Sequence, residues 1–295
     1  MDLSFIIINY NTTALTIKCI QSIYQFTKSN TFEVILIDNA SADQSIKTIE
    51  EQFHDIQLVR NTENIGFGRA NNQGIQMANG KYIFLLNSDT ALTSDAAATF
   101  FQYLEEESHH NVACCGGVLV KPNGDNQVSY GNFPTVTEAI ASLGFLRLFK
   151  EHFNRYLSSG VFNFSDVIRP VDYICGADLF LRKSVLHNIG SFDPDFFLYF
   201  EETELCYRIR KAGLMTMLLP QVTIIHHEGA SQDFDKFNEF RLLHYARSRR
   251  LYFKKTGNKI SAMVINKIYG LQALIFLITK KQRRYLKTAR ILFNS

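Results

Sequence analysis

Over its first ninety residues the chain alternates two rhythms of apolar and polar positions. Short apolar runs at Leu3 to Ile8, Glu33 to Ile37, Ile56 to Val59 and Tyr82 to Leu86 have the length of buried strands. Between them Ile17, Ile20 and Tyr24 recur at helical spacing, and further helices are predicted through Phe53 and from about Gly66 to Ala78, the last ended by Asn79-Gly80. This βαβαβ order predicts an α/β fold with a Rossmann-like, mostly parallel sheet flanked by helices. Ligands of such sheets bind beyond the carboxyl ends of the strands, so Asn9 to Asn11, Asp38-Asn39, Arg60-Asn61 and Asn87 to Asp89 are expected to converge on one crevice. Caps and turns also favour Asn and Asp, which explains one such position more readily than four.

The pattern loosens from about Lys121 to Pro170, where Asn123-Gly124, Gly131, Pro134 and Ser158 to Gly160 interrupt aromatic and basic segments; long loops over the site are expected there. Regular structure resumes with Val171 to Arg182 and a short helix to Ile189, then an abrupt turn at Gly190 to Pro194. A helix from Glu201 to Ala212, closed by Gly213, leads into an apolar strand ending near His226.

Charge divides the chain. The last acidic residue is Glu239, and residues 240–295 carry 14 Lys and Arg, leaving 17 basic against 28 acidic residues before them. A tail of +14 on a body of −11 points to an anionic partner for the tail. The five cysteines form no C-x-x-C pair, which fits buried thiols in a reducing compartment. With acidic Asp2 and only Phe5 to Ile8 as an apolar run, neither a signal peptide nor a membrane helix is expected at the N-terminus, and the expected location is cytoplasmic.

Several blocks in order resemble the family 2 glycosyltransferases of GT-A fold, in their rhamnosyltransferase-like branch, over roughly residues 3–230. The carriers are Ile6 to Asn11; Ile37 to Ser41 with Asp43; Asn61-x-x-Asn64-x-Gly66-Phe67 followed by Ala70-Asn71-Asn72-x-Gly74; Leu86 to Thr90; Gly176-Ala177-x-Leu179; Gly190-x-Phe192-Asp193; Phe200-Glu201-Glu202-x-Glu204-Leu205; and His226. The resemblance implies a glycosyltransferase domain over 1–235, with a nucleotide-binding half to about 120 and an acceptor-binding half from about 121, and a basic helical tail over 236–295.

It also implies roles. A nucleotide diphosphate leaving group gains negative charge that a divalent cation stabilises. The family's Asp-x-Asp metal position is Asn87-Ser88-Asp89 here, so only Asp89 brings a carboxylate. Asp89 and His226 are the expected ligands of Mg²⁺ or Mn²⁺, completed by diphosphate and water. Asp38, Asn61 and Asn64 are expected at the nucleotide with Asn9, Asn11 and Ser88, Arg69 at phosphate, and Asn87 at ribose or donor hydroxyls. Glu202 is the expected base that takes the acceptor's proton, beside Glu201, which would invert an α-linked donor. The macrodipole alone also favours acids in a first helical turn.

The implied reaction moves rhamnose or a hexose from a dTDP- or UDP-sugar to a hydroxyl of a glycan or polyprenyl-linked acceptor in surface polysaccharide assembly. A sugar nucleotidyltransferase would want a glycine-rich basic loop after the first strand, where this chain has Asn9-Tyr10-Asn11-Thr12-Thr13. A non-catalytic nucleotide-sugar scaffold is the other alternative, against which stand Asp89, Glu202 and His226 together.

In the tail, the apolar stretch Leu271 to Ile278 is shorter than the ~20 residues a bilayer crossing needs, and Lys280 to Lys287 follow it. That combination is expected of a helix lying on anionic lipid at the cytoplasmic face of a membrane. No nucleic-acid motif accompanies the basic run, and packing of the apolar part on the body or on a second subunit, as in a homodimer, is the other role open to it.

Overall fold

The structure, a computed structural model, describes the chain apart from residues 43–45, 145–147, 149, 228–237 and 258. Asp43 and the 235/236 boundary therefore lie outside the described residues.

The N-terminal half follows the expected order. Strand β1 (Leu3–Asn9), helix α1 (Thr13–Phe26), β2 (Phe32–Asp38), α2 (Ile46–Gln52), β3 (Gln57–Arg60), α3 (Phe67–Met77) and β4 (Tyr82–Asn87) alternate, followed by β5 (Thr90–Leu92) and α4 (Ala96–Glu105). Strands β3, β2, β1 and β4 lie side by side and parallel. Every residue of β1 is buried because both faces are covered. Leu3, Phe5 and Ile7 pack with Ile20 and Ile23 of α1 and Phe100 of α4, while Ile6 and Ile8 face Ala70 and Ile75 of α3. On entry to α3, Gly66 has φ of +89°, and a Cβ there would lie 2.5 Å from the Phe197 carbonyl oxygen, so only glycine closes this approach.

The second half adds β6 (Val112–Val120), β7 (Val128–Gly131), α5 (Val136–Ala141), α6 (Lys150–Tyr156), β8 (Val161–Phe162), β9 (Arg169–Val171), β10 (Tyr173–Ile174), β11 (Asp178–Arg182), α7 (Lys183–Ile189), α8 (Glu201–Lys211) and β12 (Met215–His226). β11 inserts antiparallel between β4 and β6, and β12 runs parallel to β6 and antiparallel to β5. The stretch 121–170 is not the run of loops expected: it carries short elements, and β10, β7 and β8 form a second small sheet. Elements of two to seven residues are too short to leave a readable period in the sequence.

Three helices complete the chain: α9 (Glu239–Thr256), α10 (Lys259–Lys280) and α11 (Arg284–Asn294). Tyr252 and Phe253 of α9, with Ala262 and Ile265 of α10, join Phe196, Phe200 and Ala139 in a third apolar cluster that docks these helices on the body. The apolar element is longer than expected: α10 is one continuous helix of 22 residues with an 18-residue window of mean hydropathy 1.6, long and apolar enough by length and composition to cross a bilayer. The expected stretch begins after Gly270 and is interrupted by Gln272, yet both face protein. A Cβ on Gly270 would meet the Phe293 ring 3.0 Å away, and Gln272 donates to the Ser142 carbonyl oxygen at 2.8 Å.

Candidate active site

A cleft of about 320 Å³ opens at the carboxyl ends of β1 and β4, where the strand order switches direction. Tyr10 and Thr12 follow β1, Asn39 follows β2, and Asn87, Ser88 and Asp89 follow β4. Asn64 and Gly66 line it ahead of α3, His226 ends β12, and Phe197 and Tyr199 precede α8. Phe240 and Arg241 of α9 close it, so the tail contributes walls to the site.

Pairing of β12 with β5 sets His226 opposite Thr90 and thus beside Asp89, 137 residues away in sequence. His226 Nε2 lies 3.4 Å from Asp89 Oδ1, both side chains being largely buried. The other ring nitrogen, Nδ1, faces Gln127 Oε1 at 3.1 Å. If Nδ1 donates its proton to that oxygen, Nε2 presents a lone pair toward the carboxylate. Two acceptors aimed at one another call for a positive charge between them. Ligands of one hard cation stand about 3 Å apart, with the carboxylate and imidazole chemistry that Mg²⁺ or Mn²⁺ accepts and a partner orienting the histidine. The residues therefore fit a divalent cation. No cluster of three or more His, Cys, Asp or Glu exists among the described residues, so the rest of its shell would come from substrate and water.

The end of β2 is built differently. Asp38 Oδ1 accepts from Asn9 Nδ2 at 2.8 Å and Ser41 Oγ at 2.6 Å, while Asn9 Oδ1 accepts from Thr12 and Thr16. Asn9 is fully buried and its amide is spent on these bonds, so it shapes the cleft and does not line it. Asn11, at φ of +57°, accepts from the Ala42 amide. Asp38 and Asn61 line an adjoining depression with Ser41, Lys47, Arg60 and Thr62, so three of the four expected strand ends share the main cleft and β3 does not. Asn64 Oδ1 accepts from Asn39 and the Gly66 amide, and Ser88 Oγ pairs with Thr12 Oγ1 at 2.8 Å. Arg69 donates from Nε to the Pro194 carbonyl oxygen at 2.7 Å and is absent from the cleft walls, its helical phase turning it toward the Gly190–Pro194 bend.

Tyr199 and Phe200 both have positive φ, 71° and 69°, unusual for non-glycine residues and a cost of about 1–2 kcal/mol each. The strained turn sends Tyr199 into the cleft and Phe200 into the third apolar cluster, and it delivers Glu201 and Glu202 to the first turn of α8. Glu201 is buried with Oε2 lacking a partner; burial, then the neighbouring Glu202 charge, holds its carboxyl well above the carboxylate range. Burial raises Glu202 to about 7, offset in part by backbone N–H groups of the helix start. Glu202 is half-buried behind Gly176, whose Cβ would stand 3.6 Å from Glu202 Cγ, and neither it nor Glu201 lines the cleft. Glu204 is structural: Arg208 pairs with it and clamps the carbonyls of Ile189, Gly190 and Ser191.

Sequence reading missed Tyr199, Phe240, Arg241 and Gln127. Arg241 Nε donates to Tyr199 Oη at 2.7 Å, and among the described residues it is the only Lys or Arg lining the cleft. No spacing signal marks Gln127, whose role exists only once β12 is paired.

A parallel α/β half that carries polar strand ends, joined to a mixed half that supplies a buried carboxylate pair and a histidine, is the GT-A architecture of nucleotide-sugar-dependent transferases. A family model described as Glycosyl transferase family 2 matches residues 4–169, and the chain belongs to that family; it is a glycosyltransferase. It is 24% identical over 240 residues to the low-salt glycan biosynthesis hexosyltransferase Agl10 of Haloferax volcanii, covering 78% of this chain and 69% of that protein. It is also 24% identical to the N-acetylglucosaminyl-diphospho-decaprenol L-rhamnosyltransferase of Mycobacterium tuberculosis, covering 68% of each. Among solved structures, the mannosyltransferase PcManGT of Pyrobaculum calidifontis, in complex with GDP-Man and Mn²⁺, superposes with a TM-score of 0.58 at 13% identity, covering 99% of this chain and 84% of that one.

Proposed function

We propose that the chain is an inverting, cation-dependent hexosyl- or rhamnosyltransferase that uses a dTDP- or UDP-sugar to extend a glycan or polyprenyl-linked acceptor in surface polysaccharide assembly, at the cytoplasmic face of a membrane. The observation that carries the transfer reading is the convergence of Asp89, His226 and Arg241 on one cleft. The names of the relatives, a hexosyltransferase and a rhamnosyltransferase acting on a diphospho-decaprenol, support the sugar and acceptor classes.

In this reading Asp38 and Asn61 hold the nucleoside from the adjoining depression, and Asn64, Ser88 and Asn87 line the path to the sugar. Asp89 and His226 would hold Mg²⁺ or Mn²⁺, which when bound supplies Lewis-acid stabilisation of the departing diphosphate. Arg241, fixed by Tyr199, adds a permanent cation that can fork onto phosphate oxygens. Glu202 accepts the proton of the attacking acceptor hydroxyl; a carboxyl near 7 is half ionised at neutral pH and basic enough to take it. The Glu202 charge in turn adds to burial in holding the unpaired Glu201 carboxyl well above the carboxylate range.

The test is a thermal-shift screen of the purified protein against dTDP- and UDP-sugars with and without Mn²⁺. Specific binding at a hundred times the dissociation constant adds about 2.7 kcal/mol of stability. A cation-dependent shift with one donor class supports the reading; no shift with any donor moves weight to the scaffold alternative.

A further inference from the structure

One side of α10 packs on the protein: Ala262 and Ile265 join the third apolar cluster, Asn266 Oδ1 accepts from Arg249 at 2.7 and 2.9 Å and its amide donates to the Ala246 carbonyl oxygen, while Gln272 reaches Ser142. On the outward side Ile260, Met263, Leu271 and Ile278 recur at helical spacing and are 48–74% exposed, with the exposed Lys267 among them. An outward side this apolar is unusual for a helix in water.

At the start of this apolar face lies an open groove of about 530 Å³ between α9, α10 and the end of α11. Arg247, Arg250 and Lys254 come from one face of α9 and Lys259 from α10; Ala262 and Met263 supply apolar floor. No Asp or Glu side chain lines it, and none of the four cations has a salt bridge or side-chain hydrogen bond within the described residues, although the charge of Lys254 acts on Asp195 and Ser295 lines the groove as well. Four cations beside an exposed aliphatic strip suit a phosphate attached to hydrocarbon.

We propose that this groove seats the phosphate headgroup of an anionic bilayer phospholipid, with its acyl chains against Ile260, Met263 and the rest of the exposed face of α10, so that α10 lies in the interface. The site rests on the peripheral-membrane reading above and makes it specific. Arg247, Arg250 and Lys254 stand 6, 9 and 13 residues after Arg241 on one helix, or about 9–20 Å along its axis. α9 is thus a rigid strut that holds the cleft close to the headgroup layer, within reach of a sugar carried on a membrane lipid.

The experiment is co-sedimentation of the full chain with phosphatidylcholine vesicles, with and without phosphatidylglycerol, for the native protein, R250Q/K254Q and K280Q/K281Q. Thermal shifts with dihexanoyl phosphatidylglycerol below its micelle concentration, and with inorganic phosphate, accompany it. The groove pair is expected to weaken binding to anionic vesicles about 30-fold, the other pair several-fold less, with the donor thermal shift intact in both. The short-chain lipid is expected to stabilise the native protein and not R250Q/K254Q. Equal losses in the two pairs mean diffuse electrostatics and overturn the groove while leaving the membrane reading standing. No binding of native protein to anionic vesicles overturns both. Stabilisation by inorganic phosphate equal to that by the lipid shows a free-anion site and overturns the lipid assignment.

Discussion

Two aspartates at strand ends of the same sheet are held in different ways. Asp38 sits in a closed set of bonds with Asn9 and Ser41, and Asn9 is itself held by Thr12 and Thr16. Asp89 faces His226 Nε2 at 3.4 Å and lines the cleft. Asp38 is held in place by its neighbours through Oδ1, whereas Asp89 has its chemistry left over for a cation. The difference lies in what the chain brings alongside. After β1 come Thr12, Thr13 and Thr16, short hydroxyls that reach back, whereas after β4 the neighbour arrives from β12 and Gln127 has already taken its far nitrogen. The same residue type is therefore fixed in place or left open according to the count of local donors.

The two glutamates behind the cleft sharpen this further. Changing Glu202 to Gln is expected to lower transfer roughly 10²–10⁴-fold while leaving donor binding in place, measured by product formation beside a binding titration. Turnover unchanged in that variant removes Glu202 as the base. Next in size, Gln127→Leu frees the His226 ring and should weaken the apparent Mn²⁺ affinity about 10–100-fold, read from the cation dependence of the donor thermal shift. An unaltered cation dependence would place the cation elsewhere.

Asp38→Ala strips a buried acceptor from Asn9 and Ser41 and is expected to cost about 1–3 kcal/mol in denaturant unfolding, with Asp89→Ala costing less than half as much. Equal costs would erase the distinction between the two aspartates. Arg241→Gln should weaken UDP binding about tenfold and leave uridine binding unchanged, since the guanidinium meets only the diphosphate.

The smallest effect is in pH. Because Glu202 rests at about 7 in the folded chain against an ordinary 4.5, the active carboxylate fills in as pH rises, and kcat should climb through a limb centred near 7. The sign for stability is the reverse. The native state holds the extra proton between 4.5 and 7, so this group's contribution is fully present below 4.5 and is lost as pH rises through 7. In Glu202→Gln the stability slope over that interval should flatten.

Much of the fold was legible because apolar period survives in long elements. β1, β4 and α8 lie within a residue of expectation, α1 spans the predicted Ile17 to Tyr24 spacing, β12 ends at the expected His226, and three of the four polar strand ends meet at the cleft. The short elements between 121 and 170 were not legible, since two to four strand residues set no period. The direction of Arg69 was not legible because side-chain direction on a helix depends on what packs beneath it, here the Pro194 bend. The α10 helix was cut short because polar and glycine positions were taken as breaks when they were contacts to Arg249, Ser142 and Phe293.

By itself the sequence determined the α/β order, the family, the polar strand ends and a tail rich in positive charge, since these depend on residue type and near spacing alone. Only the tertiary structure decided that His226 meets Asp89, that Gln127 aims the imidazole, that Arg241 of the tail walls the cleft and that α10 turns an apolar side outward. Each of these is a meeting of residues distant in sequence, fixed by strand register and helix phase once the sheet closes, and no local pattern encodes it.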